Sequence, residues 1–141
     1  MKTSGTFSIA VAGLGRRIAT VIRNLAAAAP DIRIVAHTDP APTGCSMLER
    51  RGIETGKAYG DVAQMLAETK PDLLMVGSPN HLHLDHIRAG LEAGIRVFTE
   101  KPVVRTEEET WELARLLRAH GEASVIVGLV LRSSPLVGRP P

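Results

Sequence analysis

Short apolar runs alternate with stretches of helical spacing from one end of this chain to the other, and that alternation limits what it can fold into. Residues 8–12 (SIAVA), 32–37 (IRIVAH), 72–76 (DLLMV), 96–99 (RVFT) and 125–131 (VIVGLVL) read as strands, with residues 57–59 as a minor one. Most of these runs are apolar on both faces and close on glycine, proline or aspartate, which suits strands buried in a parallel sheet. Between them, residues 16–29 carry Ile18, Val21, Ile22 and Leu25 at three- and four-residue spacing, and Pro30 stops the pattern. A short helix over 46–51 ends before Gly52. Asp61 with Gln64, and Thr106 with Glu109, have the spacing of capping boxes. A helix over 81–93 ends at Gly94. Another carries Trp111, Ala114, Leu117 and Arg118 and ends at Gly121. Strands alternating with helices of this length predict an α/β fold: a doubly wound, parallel, six-stranded sheet with helices on both faces.

Length and composition exclude several classes. At 141 residues the chain is sized for one domain. Hydrophobic residues are 44% and charged residues 23%, which rules out a disordered tail, a collagen-like fibre and a coiled coil. The longest uncharged apolar run, 125–131, is far short of the roughly 20 residues that span a bilayer. Cys45 is the only cysteine, so no intrachain disulfide forms. Aromatic residues are 3%, which argues against nucleic-acid binding by base stacking. The formal net charge is +2, and Arg16-Arg17 and Arg50-Arg51, the only adjacent basic pairs, read as solvated surface. Neither nucleic acid nor membrane is an expected partner. Lys2 before the apolar residues 7–14 faintly imitates a signal peptide, but the stretch is short, carries Gly13, and runs through Gly15 into Arg16-Arg17. A buried first strand and a cytoplasmic location are expected.

Gly13-Leu14-Gly15 closes the first strand and opens the first helix. The first glycine permits a tight turn. The second lets a pyrophosphate approach the backbone, where the helix N-terminus offers free N–H groups. The third glycine of the G-x-G-x-x-G pattern would stand at 18, where this chain has Ile18, so the helix is expected to sit farther off or shifted. Arg16 or Arg17 is placed to add a phosphate contact. A two-glycine match is also compatible with a purely structural turn. Asp39 ends the second strand, 24 residues beyond Gly15. A carboxylate there can accept hydrogen bonds from the adenosine ribose and would repel a 2′-phosphate, favouring NAD over NADP. An aspartate before Pro40 also suits a plain turn.

His81-Leu82-His83-Leu84-Asp85-His86 spells H-x-H-x-D-H, the zinc motif of the metallo-β-lactamase superfamily. A dinuclear site needs further ligands downstream. After His86 only His120 remains, and no aspartate follows Asp85. No metal is expected. As the start of a helix, the segment puts His83 and His86 on one face.

Pro79-Asn80-His81-Leu82-His83, then Ala89-Gly90-Leu91-Glu92-Ala93-Gly94, then Glu100-Lys101-Pro102, resembles the glucose–fructose oxidoreductase/inositol dehydrogenase (Gfo/Idh/MocA) family. The resemblance extends from Phe7 to about Pro135 and takes in Val127-Gly128 and residues 132–135, which are similar to the stretch leading out of the family's nucleotide domain. It implies a Rossmann domain over residues 1–132, with 133–141 as a tail where a second, substrate-binding domain would begin. It implies oxidation or reduction of sugars, inositols and related polyols with NAD(P). Gly13 and Gly15 would hold the pyrophosphate and Asp39 the ribose. Ser78, Pro79, Asn80 and His83 would line the cofactor's path. Glu100 and Lys101 would lie near the nicotinamide ribose, with Lys101 as the catalytic group that stabilises a developing alkoxide and relays a proton. Pro102 would fix the backbone that aims it. The family's second domain supplies the Asp and His that complete acid–base catalysis, and nothing in this chain replaces them. The expectation is therefore a cofactor-binding half, inactive alone and prone to self-association through the surface a second domain would cover. A dinucleotide-sensing module without catalysis is the alternative.

Overall fold

The computed structural model describes residues 5–129. The strands are β1 (Phe7–Ala12), β2 (Ile32–Thr38), β3 (Lys57–Ala58), β4 (Leu73–Val76), β5 (Arg96–Thr99) and β6 (Val125–Val127). The helices are α1 (Arg16–Ala28), α2 (Cys45–Glu49), α3 (Val62–Thr69), α4 (His83–Glu92) and α5 (Glu107–His120). The six strands form one sheet in the order β3-β2-β1-β4-β5-β6, with every pairing parallel. The order reverses direction between β1 and β4. That is the switch point outside whose strand ends an open α/β sheet forms its crevice.

Side chains of β1 alternate between two cores. Ile9 and Val11 pack with Ile18, Ala19 and Ile22 of α1 and Leu48 of α2. Ala10 and Ala12 face Met65 and Leu66 of α3, and Ile87 and Leu91 of α4, with Leu116 of α5 in the same cluster. Helices therefore cover both faces, α1 and α2 on one and α3, α4 and α5 on the other, as the alternation predicts. The alanines let α3 and α4 close in on that side. Among the described residues no helix is long and apolar enough to cross a membrane.

The capping predictions hold in outline. Asp61 accepts the Gln64 N–H at 2.8 Å and Thr106 accepts the Glu109 N–H at 3.1 Å. The reciprocal half of the second box differs. The Glu109 carboxylate takes the N–H of Arg105, at 2.6 Å, and the Arg105 guanidinium, at 2.7 Å, which holds the Glu109 carboxyl below its ordinary range.

Several boundaries move. The segment expected as one helix over 81–93 begins as a 3₁₀ turn, Asn80–Leu82, and becomes α-helical only at His83. The short helix runs Cys45–Glu49 rather than 46–51, and β3 is two residues rather than three, although the Tyr59 N–H still reaches the His37 carbonyl at 2.8 Å. The last strand stops at Val127, not Leu131. The Gly128 N–H still bonds the Thr99 carbonyl, at 2.9 Å, but the Leu129 N–H turns back to Val127 O and ends the ladder. Residues 130–131, the 132/133 boundary, and the resemblance over 132–135 lie outside the described residues.

Candidate functional site: the crevice at the switch point

The turn between β1 and α1 is held from three sides. Gly13 has φ +85°, and a Cβ built there would lie 2.3 Å from the Ser78 backbone nitrogen, so only glycine fits. Gly44, just before α2, sits against the back of the turn. Its N–H bonds the Leu14 carbonyl at 2.8 Å, and a Cβ on it would fall 2.7 Å from the carbonyl oxygens of Leu14 and Gly15. Gly15 is different: nothing lies within 4 Å of where its Cβ would be. The space in front of the turn is left open, and α1 starts there with no side-chain cap and no acidic residue in its first turn. Its first N–H groups and the positive end of its dipole face that opening, a cradle that fits a pyrophosphate.

The absent third glycine has a structural substitute. Ile18 is fully buried, and a Cβ on Gly77, just after β4, would lie 2.7 Å from the Ile18 Cβ. The relief that a glycine on α1 would give comes from the neighbouring strand instead. The close approach of α1 to the end of β4 is thus made with the glycine on the strand side.

Two cavities meet along this crevice. The larger, about 840 Å³, lies between the turn, Asp39 at the end of β2, the start of α3, and the loop after β4. Gly13, Gly15, Asp39, Ser78 and Pro79 all line it. The smaller, about 490 Å³, is lined by Arg17, Gly77, Ser78, Asn80, His83, Glu100 and Lys101. Gly77 and Ser78 border both. Ten sequence-selected residues are thereby brought to one trough. Arg16 and Pro102 line neither cavity. The Arg16 side chain is exposed, and its carbonyl accepts the Thr20 hydroxyl at 3.0 Å. Pro102 takes part through its carbonyl, across a cis Lys101–Pro102 bond.

Asp39 combines both of its sequence readings. Its Oδ1 accepts the Ala41 N–H at 2.7 Å, the turn role, while the residue also borders the larger cavity. At the other end, Arg17 Nε lies 3.5 Å from Glu100 Oε2. Glu100 is 7% exposed, and its Oε1 has no hydrogen-bond partner among the described residues.

The histidine cluster serves the trough. His83 is buried, with Nε2 2.7 Å from the Ser78 carbonyl oxygen and Nδ1 2.7 Å from that of Pro102. Both partners are carbonyl acceptors, so each bond needs an N–H on the ring: one proton serves one of the two, and both bonds form together only when both nitrogens carry hydrogen. His86 Nδ1 lies 2.9 Å from the Ser78 hydroxyl, so both rings do share one face of α4. Burial lowers the His86 pKa below its ordinary value, against a raising influence from Asp85, with His83 lowering it further. Among the described residues no group of three or more His, Cys, Asp or Glu side chains is arranged to hold a metal.

Sequence reading missed the wall made by Gly60, Asp61 and Val62 at the start of α3, together with Leu82 and His86. Asp61 was legible only as a cap. The signal available was topological: β3 neighbours β2, so the turn leaving β3 must emerge beside Asp39.

Residues 7–129 match the Gfo/Idh/MocA family, described as an oxidoreductase family with an NAD-binding Rossmann fold. The chain belongs to the Gfo/Idh/MocA family. Two curated members illustrate the relationship. D-glucoside 3-dehydrogenase of Escherichia coli is 31% identical over 121 residues, covering 85% of this chain and 34% of the relative. Inositol 2-dehydrogenase/D-chiro-inositol 3-dehydrogenase of Shouchella clausii is 28% identical over 127 residues, covering 90% and 37%. Among solved structures, scyllo-inositol dehydrogenase from Lactobacillus casei, with bound NAD(H) and scyllo-inositol, superimposes with a TM-score of 0.78 at 25% identity, over 92% of this chain and 38% of that one. This Gfo/Idh/MocA chain thus spans little more than a third of the length of these relatives and corresponds to their NAD-binding domain.

Proposed function

We propose that this domain holds NAD, in preference to NADP, as the cofactor-binding part of an oxidoreductase acting on a sugar, inositol or related polyol. The observation that carries the proposal is the meeting of the two cavities at Gly77 and Ser78, which makes one trough from Asp39 to Lys101. In this reading the open side of Gly15 and the uncapped start of α1 take the pyrophosphate. Asp39 accepts from the ribose hydroxyls and repels a 2′-phosphate. Ser78, Pro79, Asn80 and His83 form the floor, and Glu100 and Lys101 frame the nicotinamide end. Bound there, the cofactor supplies a hydride acceptor or donor.

The chain's own residues do the remaining work. Lys101 Nζ, exposed at the rim, stabilises the alkoxide that develops at a substrate hydroxyl and carries its proton. His83, placed between the carbonyls of Ser78 and Pro102, positions Pro102, the residue that follows Lys101, against the loop after β4. Hydride transfer also needs the substrate carbon pressed against the cofactor, so residues beyond this domain are required for turnover. The relatives named as glucoside and inositol dehydrogenases support the polyol assignment.

Titration calorimetry of the 141-residue chain with NAD, NADP and coenzyme A tests the reading. Saturable binding of NAD, weaker binding of NADP and none of coenzyme A is the expected result. Tighter NADP than NAD overturns the role given to Asp39, and coenzyme A as the best ligand overturns the assignment.

A further inference from the structure

Arg17 stands on the first turn of α1 but lines the smaller cavity, with Glu100 and Lys101, and not the larger one that contains Gly15. Its guanidinium therefore belongs to the reacting end of the trough. Among the described residues its one side-chain partner is Glu100, through Nε at 3.5 Å, with the arginine side chain 54% exposed. That pair cancels in charge. Among the described residues Glu100 has no other partner for Oε2, and its buried Oε1 has none. Lys101 is exposed and makes no ion pair among the described residues. The charged groups around this cavity are thus two cations and one carboxylate, a net of about +1.

A nicotinamide ring carries a positive charge when oxidised and none when reduced. From this we infer that the Arg17–Glu100–Lys101 group makes the domain bind the reduced dinucleotide more tightly than the oxidised one, with Arg17 as the residue that sets the ratio. The inference rests on the proposed reading that the smaller cavity takes the nicotinamide end. Like charges brought together at a half-exposed site cost modestly, so the preference due to Arg17 is about two- to fivefold at low salt and shrinks as salt rises. The factor has a chemical consequence. A site that favours the reduced form makes the bound couple a readier hydride acceptor than the free couple by the same factor. This domain is therefore biased toward oxidising an alcohol.

The charge count also fixes the direction of two substitutions. Arg17→Gln leaves the carboxylate balancing Lys101 and takes the cavity to neutral. Glu100→Gln leaves both cations and takes it to +2. The pair must move the ratio in opposite directions, which loss of packing or of a phosphate contact does not do.

The test measures dissociation constants of the 141-residue chain for NAD+, NADH and ADP-ribose, for wild type, Arg17→Gln, Arg17→Lys, Glu100→Gln and Arg16→Gln. ADP-ribose lacks the ring and reports the rest of the trough and the folded state. The expected result is a lower NAD+/NADH ratio in Arg17→Gln, a higher one in Glu100→Gln, and wild-type ratios in Arg17→Lys and Arg16→Gln, with ADP-ribose affinity unchanged in Arg17→Gln. An unchanged ratio in Arg17→Gln, or equal weakening of all three ligands, overturns the inference while leaving the cofactor reading intact. Failure of the wild-type chain to bind ADP-ribose overturns the cofactor reading itself.

Discussion

The β-carbon of Ile18 occupies the space that Gly77 leaves empty: a Cβ on Gly77 would lie 2.7 Å from it. The glycine that nucleotide-binding turns usually carry on the helix has in effect moved to the adjacent strand end. Gly77→Ala is expected to destabilise the domain by about 1–3 kcal/mol, the usual cost of overpacking. Adding Ile18→Gly to it should cost less than the sum of the two changes, with a coupling of about 0.5–3 kcal/mol measured by denaturant unfolding of the four-member cycle. Relief is partial, because the Gly13 carbonyl oxygen also lies 2.9 Å from that Cβ position. Strict additivity would mean that the two positions do not share this space.

The two glycines of the turn have separable tasks. Gly13→Ala meets the Ser78 backbone at 2.3 Å with φ at +85°, so it should lower stability by at least about 2 kcal/mol. Gly15→Ala meets nothing within 4 Å and has φ −81°, so the fold should survive with stability within about 1 kcal/mol of wild type. Its methyl group projects into the open cradle, so dinucleotide affinity should drop at least about tenfold, a cost of about 1.4 kcal/mol in binding. Thermal melts and calorimetry on the two variants separate these outcomes. Normal NAD affinity in Gly15→Ala would remove the turn from the binding site.

His86 gives the fold an acid-sensitive element. Burial depresses its pKa in the folded state, so the unfolded chain binds the proton more readily. Stability should therefore fall as pH drops through the unfolded value of about 6.5 and on toward the lower folded value, and be insensitive to this group above that range. His86→Gln should flatten that part of the profile. A wild-type melting temperature equally steep in both proteins between pH 7 and pH 5 would assign the acid sensitivity elsewhere.

Strand β6 is an edge, paired only with β5 among the described residues; its Ile126 is 51% exposed and Leu129, just beyond it, 41%. Exposed apolar edges recruit other chains. Light scattering over a concentration series should show the isolated chain self-associating, and Ile126→Lys should reduce it. A strictly monomeric wild-type chain at high micromolar concentration would show that the edge is protected.

Much of the architecture was legible because it depends on patterns along the chain. Each apolar run became a strand, Asp61 and Thr106 opened helices, and Gly94 and Gly121 followed helix ends, where capping chemistry requires. What escaped depends on contacts between distant segments. Ile18 looked like a defect in the turn, since nothing along the sequence links it to Gly77. The run 125–131 looked like one strand because apolar residues continue past Val127, yet Gly128 lies against Phe98, where a Cβ would come within 2.9 Å of its ring, and the chain turns. The H-x-H-x-D-H spelling matches a zinc motif, and the lack of further ligands downstream already argued against a metal, but the sequence did not show what the rings do instead. In the fold, His83 spends both nitrogens on carbonyl oxygens and His86 turns to Ser78. Arg16 or Arg17 read as placed to add a phosphate contact from their position beside the glycines, and only the α1 geometry shows Arg17 beside Glu100.

In the proposed function, one dinucleotide occupies the whole trough from Asp39 to Lys101. Amide chemical-shift mapping of the 15N-labelled chain during titrations with AMP and with NAD tests this most directly. AMP is expected to perturb Asp39, Gly15 and the start of α3, and NAD these and also Asn80, Glu100 and Lys101. NAD shifts confined to the AMP set, or lying outside the trough, would contradict it.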